Sequence, residues 1–386
     1  MRFVPDVAQF VPLIVAALGL AAAVALLLTP PVRRLAERLE VVDHPELRRV
    51  NVRPVPRGGG LAVVAAYLAV AGSFVLVNDR LRLVPVPPFI GSGELVALLA
   101  GGALAAIVGA VDDYLDLRAR WQLAGQVGLA VLAVGLGISV DTISNPLGAG
   151  NLVLAGPLAA AFTVVWIVGM INSINFIDGL DGLSSGIGLI AAVTLGLISL
   201  TTTVGQPFVA VLCFALAGAL LGFLRWNFHP ASIFSGTSGV MFVGYTLALL
   251  SILGTAKVAV ALLVLGVPII DTFWIIVRRL ASGRSPFQPD RGHIHHRLLD
   301  LGLTHTQAVV LIYAICGCLA VLSLVLSGTG PLYAFLGLAV VGGLVLFVLT
   351  RRSLVAEELV AATYDEDGDE GDRAKRTGLD DGSARG

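Results

Sequence analysis

Long apolar stretches separated by short polar segments dominate the pattern of this chain. Each stretch is rich in Leu, Ala, Val and Gly, and each has about the 20 residues that a helix needs to cross a bilayer. Eleven such stretches occur, at residues 8–29, 60–77, 95–111, 121–138, 152–171, 183–203, 207–224, 238–255, 258–277, 307–327 and 332–350. The pattern therefore predicts an all-α integral membrane protein with about eleven transmembrane helices.

The distribution of Lys and Arg predicts how these helices are oriented. With the N-terminus outside, the outer side holds Arg2, Arg80, Arg82 and Lys257, and the inner side holds the other 21 of the 25 basic residues. Basic residues accumulate in cytoplasmic loops. The first stretch has its basic cluster behind it, which argues against a cleaved signal peptide. We therefore predict that the N-terminus is outside and the C-terminus inside.

Composition agrees with this reading and changes near the C-terminus. Charged residues make up 13% of the chain, about half of the roughly 25% found in soluble domains. The net charge of −1 indicates no particular partner, and we expect no nucleic acid. Residues 353–386 are acidic and Gly-rich, which predicts a disordered cytoplasmic tail, either merely solvated or an interaction tail, after a transmembrane domain at 1–352.

Two of the predicted inner loops contain candidates for phosphate and metal chemistry. Arg57 precedes three glycines at the start of an apolar stretch, a pattern that favours anion binding, although a basic membrane anchor is the alternative. Asp112 and Asp113 lie together at a membrane boundary, where two carboxylates repel each other unless a cation lies beside them. Mg²⁺ would satisfy them. A cap exposed to water is the alternative.

A third inner loop places four polar side chains three residues apart: Asn172, Asn175, Asp178 and Asp181. In a helix this spacing puts them along one face. Amides suit a nucleobase or phosphate oxygens, and carboxylates suit a metal ion or a ribose. A polar loop with turn glycines is the alternative interpretation.

The last large inner loop concentrates histidines and arginines. His293, His295, His296 and Arg297 can all donate hydrogen bonds to a pyrophosphate or to a lipid phosphate. A zinc site is the less favoured alternative, because no cysteine or upstream ligand set accompanies them. Three isolated histidines elsewhere are interpreted as structural: His44, His229 and His305.

Together these motifs resemble those of the polyprenyl-phosphate N-acetylhexosamine-1-phosphate transferases, a superfamily within glycosyl transferase family 4. The resemblance runs from about residue 10 to 350 and rests on the Pro-Val-Pro-Arg-Gly-Gly-Gly loop, the paired aspartates, the Asn/Asp motif and the His-Ile-His-His sequence. The histidine sequence resembles the WecA/TagO branch, which uses UDP-GlcNAc or related donors. The eleven spans and the external N-terminus are similar to the family's architecture.

The resemblance implies a function and a set of site residues. A Mg²⁺-dependent enzyme, with Mn²⁺ as an alternative ion, would transfer HexNAc-1-phosphate from a UDP-sugar to undecaprenyl or decaprenyl phosphate and release UMP. It would lie in the bacterial cytoplasmic membrane as a multi-pass protein, and a homodimer is also implied. The implied catalytic residues are Asp112 and Asp113, and the implied metal ligands are Asp113 and Asp178. The implied substrate-binding residues are Arg57, Asn172, Asn175, Asp181, His293, His295, His296 and Arg297.

Two positions depart from the family pattern. Thr237 stands where the family has an aspartate that binds magnesium, and Gln122 stands where it has a lysine. If the metal site persists, Asp113, Asp178 or Asp271 would have to hold the ion. An inactive or altered relative that binds UDP-sugar or lipid is therefore one alternative. A membrane transporter is another, disfavoured because few charges lie within the spans, with Asp271 the chief exception.

Overall fold

The structure, a computed structural model, describes residues 4, 7–44, 53–145, 147–148, 150–254, 258–283 and 292–348. Its helices are α1 (Val7–Arg38), α2 (Gly60–Leu81), α3 (Ser92–Leu115), α4 (Ala119–Gly135), α5 (Pro157–Ile177), α6 (Leu183–Ser199), α7 (Pro207–Asn227), α8 (Gly236–Leu253), α9 (Val258–Val264), α10 (Gly266–Ala281), α11 (Ile294–Asp300), α12 (His305–Val325) and α13 (Gly330–Val348). The strands are β1 (Val42–Asp43), β2 (Val55–Pro56), β3 (Thr142–Ser144) and β4 (Asn151–Val153). They form two antiparallel pairs, β1 with β2 and β3 with β4.

Two compact units divide the chain. The first, Met1–Ala339, contains every candidate site residue. The second, Val340–Gly386, is described only over the end of α13. The predicted acidic tail at 353–386 and the predicted boundary at 352 lie outside the described residues.

Over their described residues, the apolar stretches of the sequence lie mainly on helices, which confirms a predominantly helical membrane protein. By length and composition, eight described helices can cross a membrane: α1, α2, α3, α5, α7, α8, α12 and α13. The pair α9 and α10 would be a ninth span, bent by 83° at the break between the two helices. Helices α4 and α6 have 17 residues each, the lower limit for a span. The full count of eleven therefore stays a prediction.

Helices α7 and α8 occupy the centre of the first unit, and the other spans surround them. About nine-tenths of the apolar window of α7 is buried, against about one-fifth for α1. Small residues allow α1 to approach closely, because a Cβ on Gly218 or Gly222 would lie 2.1 Å from a carbonyl oxygen of α1. This small-xxx-small contact is how membrane helices pack without a hydrophobic driving force between them.

Several helix ends meet at one end of the first unit. Among them are the C-terminal ends of α1, α3, α5 and α7 and the N-terminal ends of α2, α4, α6, α8 and α12. The strand pair β1 and β2 lies between α1 and α2 at this same end. The connecting segments of alternate helices therefore come together, which is the arrangement that positions the candidate site.

Candidate functional site

A polar cavity of about 340 Å³ opens where these helix ends meet. Its lining combines carboxylates, amides, histidines and a guanidinium, contributed by segments far apart in sequence. The described lining residues are Asp43, Arg57, Asp113, Asn175, Asp178, Gly179, Leu180, Asp181, Asn227, Phe234, Ser235, Gly236, Thr237, His296 and His305. Six of them were predicted as site residues from the sequence: Arg57, Asp113, Asn175, Asp178, Asp181 and His296.

The two adjacent aspartates of α3 have different surroundings. Asp113 lines the cavity, and its two oxygens accept hydrogen bonds from the backbone N–H groups of Thr237, at 2.7 Å, and Ser238, at 3.0 Å. Asp112 is buried and is not among the lining residues. Its Oδ1 accepts hydrogen bonds from Gln122 Nε2, at 2.8 Å, and from the Leu117 N–H. The predicted pair is therefore split, with one carboxylate in the cavity and one bound to α4.

The start of α8 is shaped to approach Asp113. Gly236 has φ +72°, a left-handed conformation that side chains rarely adopt. A Cβ on this residue would also lie 2.5 Å from Asp113 Oδ2. Burial raises the pKa of Asp113, whereas the two N–H groups that donate to it at the start of the helix and the charge of Arg57 favour its ionised form. Thr237 contributes its backbone N–H to this contact.

The Asn/Asp motif does not lie on one helical face, so that part of the prediction was wrong. Helix α5 ends at Ile177, and the motif continues into a turn around Gly179. Asn175, Asp178 and Asp181 reach the cavity, whereas Asn172 does not. The Asn172 Nδ2 group instead donates to Gln126 Oε1 of α4, at 2.6 Å. Three of the four predicted side chains are therefore brought together.

The surroundings of Asp178 disfavour the ionised form of its carboxyl group. The pKa of this carboxyl is raised from 3.8 to about 6, mainly by burial and also by the nearby charges of Asp113 and Asp181. A hydrogen bond from Ser184 Oγ, at 2.5 Å, and the charge of Arg57 act in the opposite direction. Three carboxylates around one cavity thus repel one another, and a bound cation would relieve that repulsion.

Asp181 is held in place by two histidines that the sequence reading treated as isolated. Asp181 Oδ2 lies 2.7 Å from His229 Nδ1 and accepts a hydrogen bond from the Ala231 N–H. The Asp181 N–H donates to His305 Nε2 at 2.8 Å. His229 and His305 are therefore not isolated, because both contact a cavity residue, and the interpretation of them as structural stays a prediction.

This group of three residues has the composition of a metal site but not its geometry. One ligand atom from each of Asp181, His229 and His305 lies within 4.8 Å of the others. The two imidazole rings are stacked, with centroids 4.2 Å apart and planes at 19°. Their nitrogen lone pairs therefore lie in nearly parallel planes and cannot converge on one ion unless a ring rotates. A hydrogen-bonded clasp around Asp181 describes the contacts better.

Arg57 places a guanidinium at the cavity, where it pairs with the buried carboxylate of Asp43. Two of the three neighbouring glycines do not offer a backbone N–H for the predicted anion site. The Gly59 N–H donates to the Phe234 carbonyl oxygen, and the Gly60 N–H donates to that of Ser235. These two donors are occupied in holding α2 against the start of α8, which leaves the Arg57 side chain as the cationic group of this segment at the cavity.

The histidine-rich segment reaches the cavity through one residue, His296. His295 is buried behind it. Burial is the main reason that its pKa is lowered, and the neighbouring histidines lower it as well, so the imidazole is neutral at neutral pH. His293 lies 2.7 Å from the carboxylate of Asp271. Arg297 is also buried, and its Nε donates to the Gly292 carbonyl oxygen. Three of the four predicted residues therefore stand behind the cavity wall.

Several lining residues were not predicted from the sequence. Some lie in polar loops where they could have been found, and others have no recognisable motif around them. Asp43 lies in a polar inner loop, so a stricter search of that loop for carboxylates could have found it. Asn227 ends an apolar stretch and has no motif around it. Its Oδ1 accepts from Ser185 Oγ and its Nδ2 donates to the Ile233 carbonyl oxygen, contacts that only the fold creates.

Comparisons with known proteins show which family the chain is similar to. The model of glycosyl transferase family 4 matches residues 95–255, a region that includes Asp113, the Asn/Asp motif and the start of α8. A protein of Bacillus subtilis named as a probable undecaprenyl-phosphate N-acetylglucosaminyl 1-phosphate transferase is 34% identical, over 75% of this chain and 78% of the relative.

Two further relatives carry related names. The decaprenyl-phosphate N-acetylglucosaminephosphotransferase of Mycobacterium tuberculosis is 36% identical, over 76% of this chain and 77% of its own length. The undecaprenyl-phosphate alpha-N-acetylglucosaminyl 1-phosphate transferase of Yersinia pestis is 30% identical, over 76% of this chain and 79% of its own length. The similarity therefore extends over about three quarters of the chain.

Proposed function

Because the chain belongs to glycosyl transferase family 4, we propose that it transfers N-acetylglucosamine 1-phosphate to a polyprenyl phosphate. The names of relatives that match over three quarters of their length support this activity. We propose UDP-GlcNAc as the donor and UMP as the released product. In this reaction an oxygen of the lipid phosphate attacks the sugar-linked phosphorus, and the bond from that phosphorus to the bridging oxygen of UMP breaks.

The observation that carries the proposal is the composition of the cavity. Asp113, Asp178 and Asp181 surround one space together with the guanidinium of Arg57. Phosphoryl transfer needs positioning and neutralisation of charge on the phosphates more than it needs covalent chemistry from the protein. A pyrophosphate donor and a lipid phosphate acceptor both require such a site at the end of a membrane helix bundle, within reach of the acceptor's lipid chain.

The donor set at this cavity fits Mg²⁺. Carboxylate oxygens are the ligands that Mg²⁺ prefers, usually one or two of them together with substrate phosphates. The pKa of Asp178 is raised mainly by burial and also by the charges of Asp113 and Asp181, so a bound cation would stabilise its ionised form. We propose Asp113 and Asp178 as the residues that hold the ion. When bound, it would neutralise charge on the pyrophosphate during transfer.

The other residues of the cavity position the reactants. Arg57 is kept at the cavity by its ion pair with Asp43 and can bind phosphate oxygens. His296 and Asn175 offer hydrogen-bond donors on the opposite segments. The contacts of Asp181 with His229 and His305 hold the turn that carries Asp178, so the carboxylates keep their spacing while substrates exchange.

We also propose a placement in the bacterial cytoplasmic membrane. Eleven crossings with an external N-terminus would put the cavity on the cytoplasmic face, where a nucleotide-sugar is available. The excess of Lys and Arg in the loops at this end supports that side. A homodimer remains an expectation from the family resemblance.

Release of UMP by the purified protein tests the proposal. The full-length protein in detergent would receive UDP-GlcNAc and polyprenyl phosphate, with and without Mg²⁺. We expect UMP only when both the lipid and the ion are present, and we expect Asp113→Asn and Asp178→Asn to abolish it. Asp141→Asn is a matched control, because this exposed carboxylate lies beyond the opposite end of α4. Lipid-independent UMP release, or full activity in both cavity variants, would refute the proposal.

An inactive relative that binds donor or lipid is the second candidate function. It is favoured by one observation, the threonine at position 237, where the family resemblance places a metal-binding aspartate. This alternative predicts that UDP-GlcNAc binds and raises the melting temperature, while no UMP forms from it or from other UDP-sugars. Mg²⁺-dependent UMP release by the wild-type protein would exclude it.

A further inference from the structure

A buried carboxylate on α10 lies beside the histidine-rich segment. Asp271 is 1% exposed and belongs to the second half of the bent helix pair. An ionisable residue inside an apolar span is expensive to bury and is commonly retained for function. Asp271 does not line the cavity, so any role in the reaction must act through other residues.

Both oxygens of this carboxylate are used to hold one end of α11. Asp271 Oδ2 lies 2.7 Å from His293 Nδ1, and Oδ1 accepts the Ile294 N–H at 2.9 Å. His293 is the residue that precedes the helix, and Ile294 is its first residue. The carboxylate thus binds a side chain and a backbone donor at the same point, which fixes both the position and the rotation of the helix start.

The bond to the carboxylate also determines the tautomer of His293. A carboxylate accepts hydrogen bonds, so the proton of the imidazole lies on Nδ1. The ring is held further by an edge contact with Phe176 of α5, at 5.9 Å between centroids. A second residue of α10, Arg278, lies beside Gly292, because a Cβ there would be 2.3 Å from its guanidinium.

The rotation of α11 matters because two later residues touch the catalytic segments. His295 stacks on His293, with centroids 5.5 Å apart and planes at 8°. The Nε2 atom of His295 lies so close to Gly179 that a Cβ there would be only 2.0 Å away. Gly179 directly follows Asp178. A small rotation of α11 would therefore press His295 into the turn that carries this carboxylate and would move His296 at the cavity.

We propose that Asp271 is a positioning residue, which clamps His293 and the first turn of α11 so that His296 and the Asp178 turn are correctly placed for the donor. The proposal rests on the proposed function, because the donor defines which contacts matter. Asp271 acts without touching substrate or metal. The sequence reading considered it as a metal ligand, and the structure does not bring it to the other carboxylates.

Asp271→Asn is the direct test, with steady-state UMP release as the assay. The amide Nδ2 cannot accept the His293 proton, although Oδ1 can still accept the Ile294 N–H. We expect kcat/KM for UDP-GlcNAc to fall by roughly 10- to 100-fold, mainly through a higher KM for this donor. This is the effect expected for loss of a charge-assisted hydrogen bond. The KM for the lipid acceptor should change little.

Thr272→Val is a matched control on the same helix. This neighbouring hydroxyl is buried and has no hydrogen-bond partner among the described residues. The substitution keeps the shape and removes a polar group, so we expect wild-type kinetics and an unchanged or higher melting temperature.

A double-mutant cycle separates positioning from general stability. If Asp271 acts through His293, then Asp271→Asn, His293→Gln and the double variant should lose similar amounts of kcat/KM for the donor, because interacting residues are not additive. Additive losses, equal increases in the KM of both substrates, or losses that match the fall in melting temperature would overturn the proposal.

Failure of the proposed function and failure of the Asp271 clamp give different results. Wild-type protein that releases no UMP would refute the transferase, whereas active wild-type protein with an unchanged Asp271→Asn variant would refute only the clamp. Stabilisation by UDP-GlcNAc, measured as a shift in melting temperature, tests donor binding without turnover. We expect a smaller shift in Asp271→Asn than in the wild type, and equal shifts would count against the clamp.

Discussion

Replacing Asp178 with Asn should stabilise the protein while it abolishes activity. The carboxyl group has a pKa of about 6 instead of 3.8, mainly because of burial and also because of the charges of Asp113 and Asp181. At neutral pH it is therefore ionised in surroundings that disfavour the charge. Asn has nearly the same shape, and its amide oxygen can still accept the hydrogen bond from Ser184 Oγ. The substitution removes the charge and keeps the packing.

The magnitude follows from the shift of the pKa. A difference of about 2 pKa units corresponds to about 3 kcal/mol at about 1.4 kcal/mol per unit. This value is an upper limit, because Asp178 is partly exposed to the cavity and solvent screens its charge.

The sign fixes the dependence on pH. A raised pKa means that the folded state holds the proton more tightly, so this stability is present below pH 3.8 and is lost as the pH rises through about 6. The loss of folding stability caused by the ionised Asp178 is thus at its full value at pH 7.5 and about half as large at pH 5.

Melting temperatures of the detergent-purified wild type and Asp178→Asn provide the assay. Tryptophan fluorescence can report unfolding, since the chain contains four tryptophans. Without Mg²⁺ at pH 7.5, the variant should melt several degrees higher, and the gap should narrow at pH 5. Adding Mg²⁺ should raise the melting temperature of the wild type more than that of the variant. Equal melting temperatures at both pH values would refute the assigned electrostatic strain, and equal responses to Mg²⁺ would refute Asp178 as its ligand.

Three further predictions concern the start of α8 and the contact between α3 and α4. Gly236→Ala should destabilise the protein by about 2–4 kcal/mol and reduce UMP release, because the residue has positive φ and borders Asp113; an unchanged melting temperature would contradict this. Thr237→Val should retain UMP release, since Thr237 contacts Asp113 through its backbone; a tenfold loss would show that the hydroxyl takes part. Gln122→Leu should lower stability by about 1–3 kcal/mol, whereas Gln122→Lys should not, because only lysine can still donate to Asp112; thermal unfolding of both variants decides this.

Hydropathy predicted the helices because a bilayer imposes one length on every span. Each of the eleven apolar stretches is mainly helical over its described residues, and one of them lies on two helices, since an apolar segment in lipid must satisfy its own backbone hydrogen bonds. It did not predict the bend of 83° between Val258–Val264 and Gly266–Ala281. Both halves of that pair are apolar, so the hydropathy of the stretch carries no information about the break.

Spacing along the chain predicted part of the candidate site and failed where the backbone changed. The three-residue period of the Asn/Asp motif assumed a continuous helix, but α5 ends at Ile177. Asp178 and Asp181 therefore reach the cavity from a turn, and Asn172 is turned toward α4. The adjacent Asp112 and Asp113 show the same limit, because successive residues of a helix face directions about 100° apart.

The histidines show most clearly what a single sequence cannot supply. His305 lies 124 residues after Asp181, yet its ring accepts the Asp181 N–H. His229 lies 48 residues away and contacts the carboxylate of Asp181. Each looked isolated because no neighbour in sequence shares its chemistry, whereas the alternating direction of the helices returns each segment to the same end of the bundle. Only the fold therefore shows that both histidines contact Asp181.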